Sequence, residues 1–189
     1  RASGIDQTAP PIFRRRSTVD APLQSTHAMP AQTPLQTKGR PGLTWKEICH
    51  DPRFRDLPYK IETNARGQII MSPTYQRHGA LQTEIVVRLR ELPTGRAVTE
   101  SSISTSDGEK IADAVWFSDE RWETVKDTLN APIAPEICVE VRSPGNSDDE
   151  MEHKRALYFE AGAEEVWICD TNGHLRFYDA EGERDRSDR

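Results

Sequence analysis

A chain of 189 residues with 35% hydrophobic and 30% charged side chains is long enough for one domain with a sizeable core, and the lack of any apolar run of about 18 residues argues against a membrane span. Its formal net charge of -6 excludes a protein that coats nucleic acid by bulk positive charge, though not an enzyme that meets it in a local cleft. Cys49, Cys138 and Cys169, with no C-x-x-C spacing, exclude a disulfide framework or a zinc knuckle and fit a reducing cytoplasm.

Residues 1–43 are rich in Pro, Gln, Ser and Thr, show no helical or strand period, and read as a disordered tail. They carry six basic against two acidic side chains, so the remainder of the chain has a net charge of -10. Order is expected from Leu43, where Thr44 and Glu47 have the spacing of a capping box for a short helix that stops near Asp51-Pro52. "KIETNARGQIIMSP" reads as a hairpin turning over Asn64 to Gly67. His78, Leu81, Gln82, Ile85, Leu89 and Leu92 recur at helical spacing and predict one helix over about 75–92, ended by Pro93-Thr94-Gly95.

Two strands, 96–105 and 110–117, should follow, joined at Asp107-Gly108, with a short polar helix over 119–128 and a strand over 135–142. Ser147 and Glu150 form a second capping-box pair, opening a helix that runs to about Ala161 and is closed by Gly162. "EEVWICD" and "LRFYDA" are the last expected strands, and from Glu181 to Arg189 the charged tail should fray. The domain is thus expected over 44–180. Its element order predicts an α/β fold with a mixed central sheet flanked by helices, and 135–170 is long enough for a parallel crossover.

Within these elements a few charged residues stand where apolar ones belong. Asp113 interrupts the row Ile111, Val115, Phe117 that period 2 places on one face of its strand, and Glu140 lies near the end of "PEICVEV". Lys154 shares the stripe Leu157, Tyr158, Ala161 that should pack on the sheet. Two carboxylates on neighbouring strands can share a hard cation such as Mg2+, and a nearby ammonium can orient water or offset charge growing on a phosphate. The same three residues also describe a structural ion-pair network, and spacing alone leaves both open. His78 and Gln82, at the start of the long helix, could contact a substrate or serve the helix itself. For Tyr158 the stripe favours core packing.

In the order "LTWKEICHDP", "GQIIMSPTYQRHG", "IADAVWF", "PEICVEVRSP" and "KRALYFEAGAEEVWICD", the stretch from Leu43 to about Ala180 resembles the Uma-type restriction-endonuclease family, within the PD-(D/E)xK nuclease superfamily. The resemblance implies a restriction-endonuclease-like core. It also implies a metal site with Asp113 and Glu140 as ligands and Glu62 as a further acidic position. The superfamily's usual lysine place, two residues after the glutamate, is here Arg142, which cannot accept a proton but could touch substrate. The family-type lysine on the following helix is matched by Lys154. Ala112 stands where the superfamily name expects proline. The expectation is a Mg2+- or Mn2+-dependent endonuclease acting on nucleic acid, DNA first, with a homodimer as the natural way to cut both strands. The rival expectation is an inactive binding or regulatory module of the same fold.

Overall fold

The computed structural model describes residues 43–189, so the tail expected over 1–43 lies outside them but for its last residue. In chain order the elements are α1 (Trp45–His50), β1 (Tyr59–Thr63), β2 (Ile69–Pro73), α2 (Gln76–Leu89), β3 (Arg96–Thr105), β4 (Gly108–Phe117), α3 (Asp119–Val125), β5 (Ile137–Val141), α4 (Asp148–Glu160), β6 (Glu165–Cys169), β7 (Leu175–Asp179) and β8 (Gly182–Arg184). Local chemistry explains most of the boundaries. Thr44 Oγ1 accepts from the Glu47 amide while Glu47 Oε2 accepts from the Thr44 amide at 2.7 Å, a complete capping box on α1. On α4 only half of that box forms: Ser147 Oγ accepts from the Glu150 amide at 3.1 Å, and the Glu150 carboxylate turns to Asn146 Nδ2 at 2.9 Å.

Strands β3 to β8 form one six-stranded sheet in sequence order, and β1–β2 make a separate antiparallel hairpin. Every neighbouring pair of the large sheet is antiparallel except β5–β6, which α4 joins as the expected parallel crossover. Helix α2 covers one face, where Leu81, Ile85 and Leu89 pack on Ala114, Trp116, Ile137, Val139, Val141 and Trp167. The other face carries Val115, Phe117, Cys138 and Val166 under Val125 of α3 and Tyr158 of α4. Each fully buried Val or Ile here contributes about 1.5–3 kcal/mol, so these two clusters, rather than the ion pairs described below, hold the sheet together. Among the described residues no helix is long and apolar enough to cross a membrane, and Cys49, Cys138 and Cys169 are all free thiols.

The segment from Glu181 departs from expectation. It does not fray: Asp179 Oδ1 accepts from the Glu181 and Gly182 amides, and β8 pairs with β7 through Tyr178↔Glu183 and Phe177↔Arg184. Farther on, the Asp188 amide donates to Glu165 Oε1 at 3.1 Å, and the Arg189 guanidinium lies over the Trp116 ring. Composition signals a tail, but alternating charges that find cross-strand partners, Arg176 with Glu183 at 2.8 Å, make an edge strand of it.

The small hairpin docks on β4 at a close approach. Gly108 has φ +84, and a Cβ there would stand 2.9 Å from the Thr63 carbonyl carbon. The contact is reinforced by Glu109 N donating to Thr63 Oγ1 at 2.8 Å and by the buried Lys110, whose Nζ donates to Thr63 O at 2.7 Å and Asp107 O at 2.6 Å. Gly108→Ala is therefore expected to cost about 3 kcal/mol, combining left-handed strain with a backbone clash. Urea unfolding of the variant beside the wild type checks this.

Candidate active site

The ladder between β4 and β5 runs Trp116↔Ile137, Val115↔Cys138, Ala114↔Val139 and stops; the next residues on the two strands are Asp113 and Glu140. At this point the Asp113 carboxylate takes over the role of a strand carbonyl, with Oδ2 accepting from the Val141 amide at 2.7 Å. On the opposite edge, the β3–β4 ladder skips Glu100, whose φ is +53, an uncommon conformation for a residue with a side chain. Gln82 of α2 spans the gap, its Nε2 donating to Asp113 O at 2.6 Å and to Glu100 Oε1 at 2.9 Å. The register is the same on both sides of the interruption, Thr99↔Ala114 and Ser101↔Ala112, yet Ala112 joins the cluster under α4 and Ala114 the one under α2.

Three elements converge on this break between β4 and β5. From α4, Lys154 Nζ lies 2.8 Å from Glu62 Oε1 and 3.3 and 3.2 Å from the two Glu140 oxygens, while the Tyr158 hydroxyl donates to Glu140 Oε1. From β1, Glu62 Oε1 also accepts from the Ile111 amide at 2.9 Å, and Lys60 Nζ donates to Asp113 Oδ1 at 2.6 Å and stands 3.9 Å from Glu140 Oε2. From α2, His78 Nε2 lies 3.1 Å from Asp113 Oδ1 and its Nδ1 lies 3.2 Å from Ser143 Oγ. Asp113, Glu140, Glu62 and Lys154 are all buried, at 1%, 2%, 6% and 7% exposure, which makes these groups dependent on one another rather than on water.

The electrostatics follow from that density of charge. Burial alone would raise Asp113, but Lys60 and the His78 hydrogen bond win and hold its carboxyl well below the usual range. Glu62 also ends lowered, because Lys154 and Lys60 overcome its burial. Glu140 is pushed up instead, since burial outweighs the two lysines and Asp113 and Glu62 repel it. Burial opposes the charge on Lys154, yet Glu140, Glu62 and Asp113 drive its pKa far upward, and Lys60 is raised in the same way. Lys154 is accordingly a fixed ammonium. Burial and Glu140 likewise push up the Tyr158 hydroxyl, which stays a donor.

His78 is raised above its ordinary 6.5 by its hydrogen bond to Asp113, against a smaller opposing effect of burial. A raised histidine adds stability that is fully present below about pH 6.5 and fades as pH climbs through the folded-state value. The melting temperature should therefore fall between about pH 6 and 8.5 by more in the wild type than in His78→Gln. Parallel thermal scans across that range measure the difference.

Of the residues singled out from sequence, Asp113, Glu140, Glu62, Lys154 and His78 meet here, and Gln82 supports the Asp113 main chain. Arg142 does not join them. Strand β5 ends at Val141, and the Arg142 side chain turns to Asp148 Oδ1 at 2.5 Å and Asn146 O at 3.2 Å, at the start of α4. Tyr158 is fully buried, as its stripe implies, and also hydrogen-bonds the site. Lys60 escaped the sequence reading. The usable signal was its position two residues before Glu62, on the same face of one strand.

The residues suit a hard divalent cation in kind: two carboxylates, Asp113 and Glu140, turn oxygens toward one point, and Mg2+ is commonly held by one or two carboxylates with waters completing its shell. Among the described residues no group of three His, Cys, Asp or Glu side chains forms a ready metal cage.

Comparison with known proteins agrees with the fold. A crystal structure of "a putative nuclease belonging to DUF820" from Anabaena variabilis ATCC 29413 superposes with a TM-score of 0.55 at 22% identity, covering 68% of this chain and 78% of that one. No curated protein matches the chain. The Uma2 family, described as "Putative restriction endonuclease", matches residues 51–184, a span that takes in the docked hairpin, the break between β4 and β5, and helix α4. The chain belongs to the Uma2 family.

Proposed function

We propose that the protein is a Mg2+- or Mn2+-dependent endonuclease that hydrolyses phosphodiester bonds, with DNA as its substrate. The observation that carries this reading is the convergence of Asp113 Oδ1 and Glu140 Oε2 on one cationic point, with the Lys154 ammonium fixed beside them. Asp113 and Glu140 would hold the cation, and Glu62 would reach it only by way of Lys154. When bound, the cation supplies charge stabilisation at the phosphate and a lowered pKa for the attacking water.

The protein's own groups account for the rest. The Val141 amide and Gln82 fix the Asp113 side chain and main chain, and Tyr158 with Lys154 orients Glu140. Because Lys154 remains protonated, its part is to offset negative charge on the phosphate, not to take a proton from water. His78, half-buried beside Asp113, is the candidate for substrate contact. Cutting both strands with one site per chain calls for a two-fold dimer, and the acidic surface confines nucleic-acid contact to the cleft.

One observation favours the rival reading of a binding or regulatory module: Asp113, Glu140 and Glu62 already have buried cationic partners, which is what a structural ion-pair network needs. Incubating the purified protein with supercoiled plasmid in Mg2+ or Mn2+, with chelator and Glu140→Gln as controls, separates the two. Metal-dependent nicking that Glu140→Gln abolishes supports the nuclease. No nicking in either metal, or nicking that survives the substitution, sinks it.

A further inference from the structure

Lys60 is the one cation of the cluster that the proposed reaction leaves without a task. The two lysines are not equivalent in position. Lys154 lies behind the carboxylates, bridging Glu62 and Glu140 from α4. Lys60 faces Asp113 Oδ1 at 2.6 Å and Glu140 Oε2 at 3.9 Å. The remaining oxygens of those two carboxylates are taken by rigid parts of the fold, Asp113 Oδ2 by the Val141 amide and Glu140 Oε1 by the Tyr158 hydroxyl. Oδ1 and Oε2 are therefore the pair that faces Lys60, Oδ1 also meeting His78 Nε2 at 3.1 Å and Oε2 also meeting Lys154 Nζ at 3.2 Å.

We propose that Lys60 is an internal substitute for the divalent cation, so that its ammonium and the metal compete for Asp113 Oδ1 and Glu140 Oε2. This rests on the metal-site reading above. These oxygens already face Lys60, Lys154 and His78, and adding a divalent cation in a poorly screened interior raises the repulsion further, so loading requires Lys60, which stands against both, to leave. The backbone beneath it cannot easily follow. The turn end of the hairpin is clamped by Lys110 Nζ to Thr63 O, Glu109 N to Thr63 Oγ1, and Ala65 N to Asp107 Oδ1 at 2.9 Å. The exchange is thus a swing of the four-carbon lysine stem from the open end of β1, where Tyr59 is already exposed. In this arrangement Lys60 keeps two buried carboxylates compensated until a metal arrives, and lowers metal affinity in doing so.

The test is direct Mn2+ binding, followed by calorimetry or by the electron paramagnetic resonance of free Mn2+, on wild type, Lys60→Met and Lys60→Arg. Removing the competing charge should tighten Mn2+ binding by roughly tenfold or more in Lys60→Met, while Lys60→Arg binds no tighter than wild type. Equal or weaker binding by Lys60→Met, with wild type binding normally, overturns the competition and leaves the metal site standing. Absence of Mn2+ binding by both wild type and Lys60→Met overturns the metal site as well. Should Lys60→Met fail to fold, the wild type decides through its 15N-labelled lysine ammonium signals. Mg2+ must displace the Lys60 resonance more than that of Lys154, and an unmoved Lys60 signal at saturating Mg2+ overturns the proposal.

Discussion

Asp113→Ala is expected to abolish metal-dependent cleavage and to cost about 3–5 kcal/mol of stability, the range for removing one partner from a buried charge pair. Both losses trace to the same atoms. Oδ1 compensates Lys60 at 2.6 Å and accepts from His78, and Oδ2 satisfies the Val141 amide where the β4–β5 ladder stops. An alanine leaves the Lys60 ammonium with Glu140 Oε2 alone, at 3.9 Å, and a buried N–H without a partner. The companion Asp113→Asn keeps the shape and one carbonyl acceptor while removing the charge, so it should retain more stability than alanine and still be inactive. Urea midpoints together with plasmid cleavage in Mg2+ read both quantities. Cleavage by a well-folded Asp113→Asn protein at wild-type rate would show that this carboxylate holds no metal.

Lys154→Met should be comparably damaging, again about 3–5 kcal/mol, because one ammonium serves both Glu62 and Glu140. It also has a signature in pH. In the wild type the depressed Asp113 and Glu62 contribute stability that is present above their unfolded-state values near pH 4 and is lost as pH falls, with the raised Glu140 working in the opposite direction. Without Lys154, Glu62 and Glu140 lose their main counter-charge and burial drives both upward. A carboxyl that is raised in the folded state stabilises at low pH and does so less as pH rises. The variant's deficit relative to wild type should therefore shrink between about pH 7.5 and 5, as read from urea midpoints. A deficit that is constant across that range would mean that Lys154 acts through packing alone.

Much of this arrangement could be read from residues in isolation. Thr44 and Ser147 announce their helices, and the Asn64–Gly67 turn fixes the hairpin, because capping and turn chemistry act over three or four residues. Asp113, Glu140 and Lys154 were legible as charges on otherwise apolar faces. Lys60 was harder to see because β1 is short and Tyr59 is exposed; the lysine is half-buried, and only by docking of the hairpin on β4, a contact between distant segments. Arg142 stays apart from the cluster because β5 ends one residue before it. Strand β8 escaped because a charged segment becomes ordered only when another strand offers the matching charges, which no local window contains. The interruption at Glu100 also has no local signature.

The shared ammonium of Lys154 closes two loops of unequal length, one of 14 residues back to Glu140 and one of 92 back to Glu62. Loop-closure entropy grows with the logarithm of length, and the short loop spans only β5, α4 and the turn between them. Contact order therefore divides the cluster into a local half and a remote half. A perturbation that loosens the docking of β1 should dissolve the remote half first, and the protein would lose its chemistry while most of its backbone amides stayed protected from exchange.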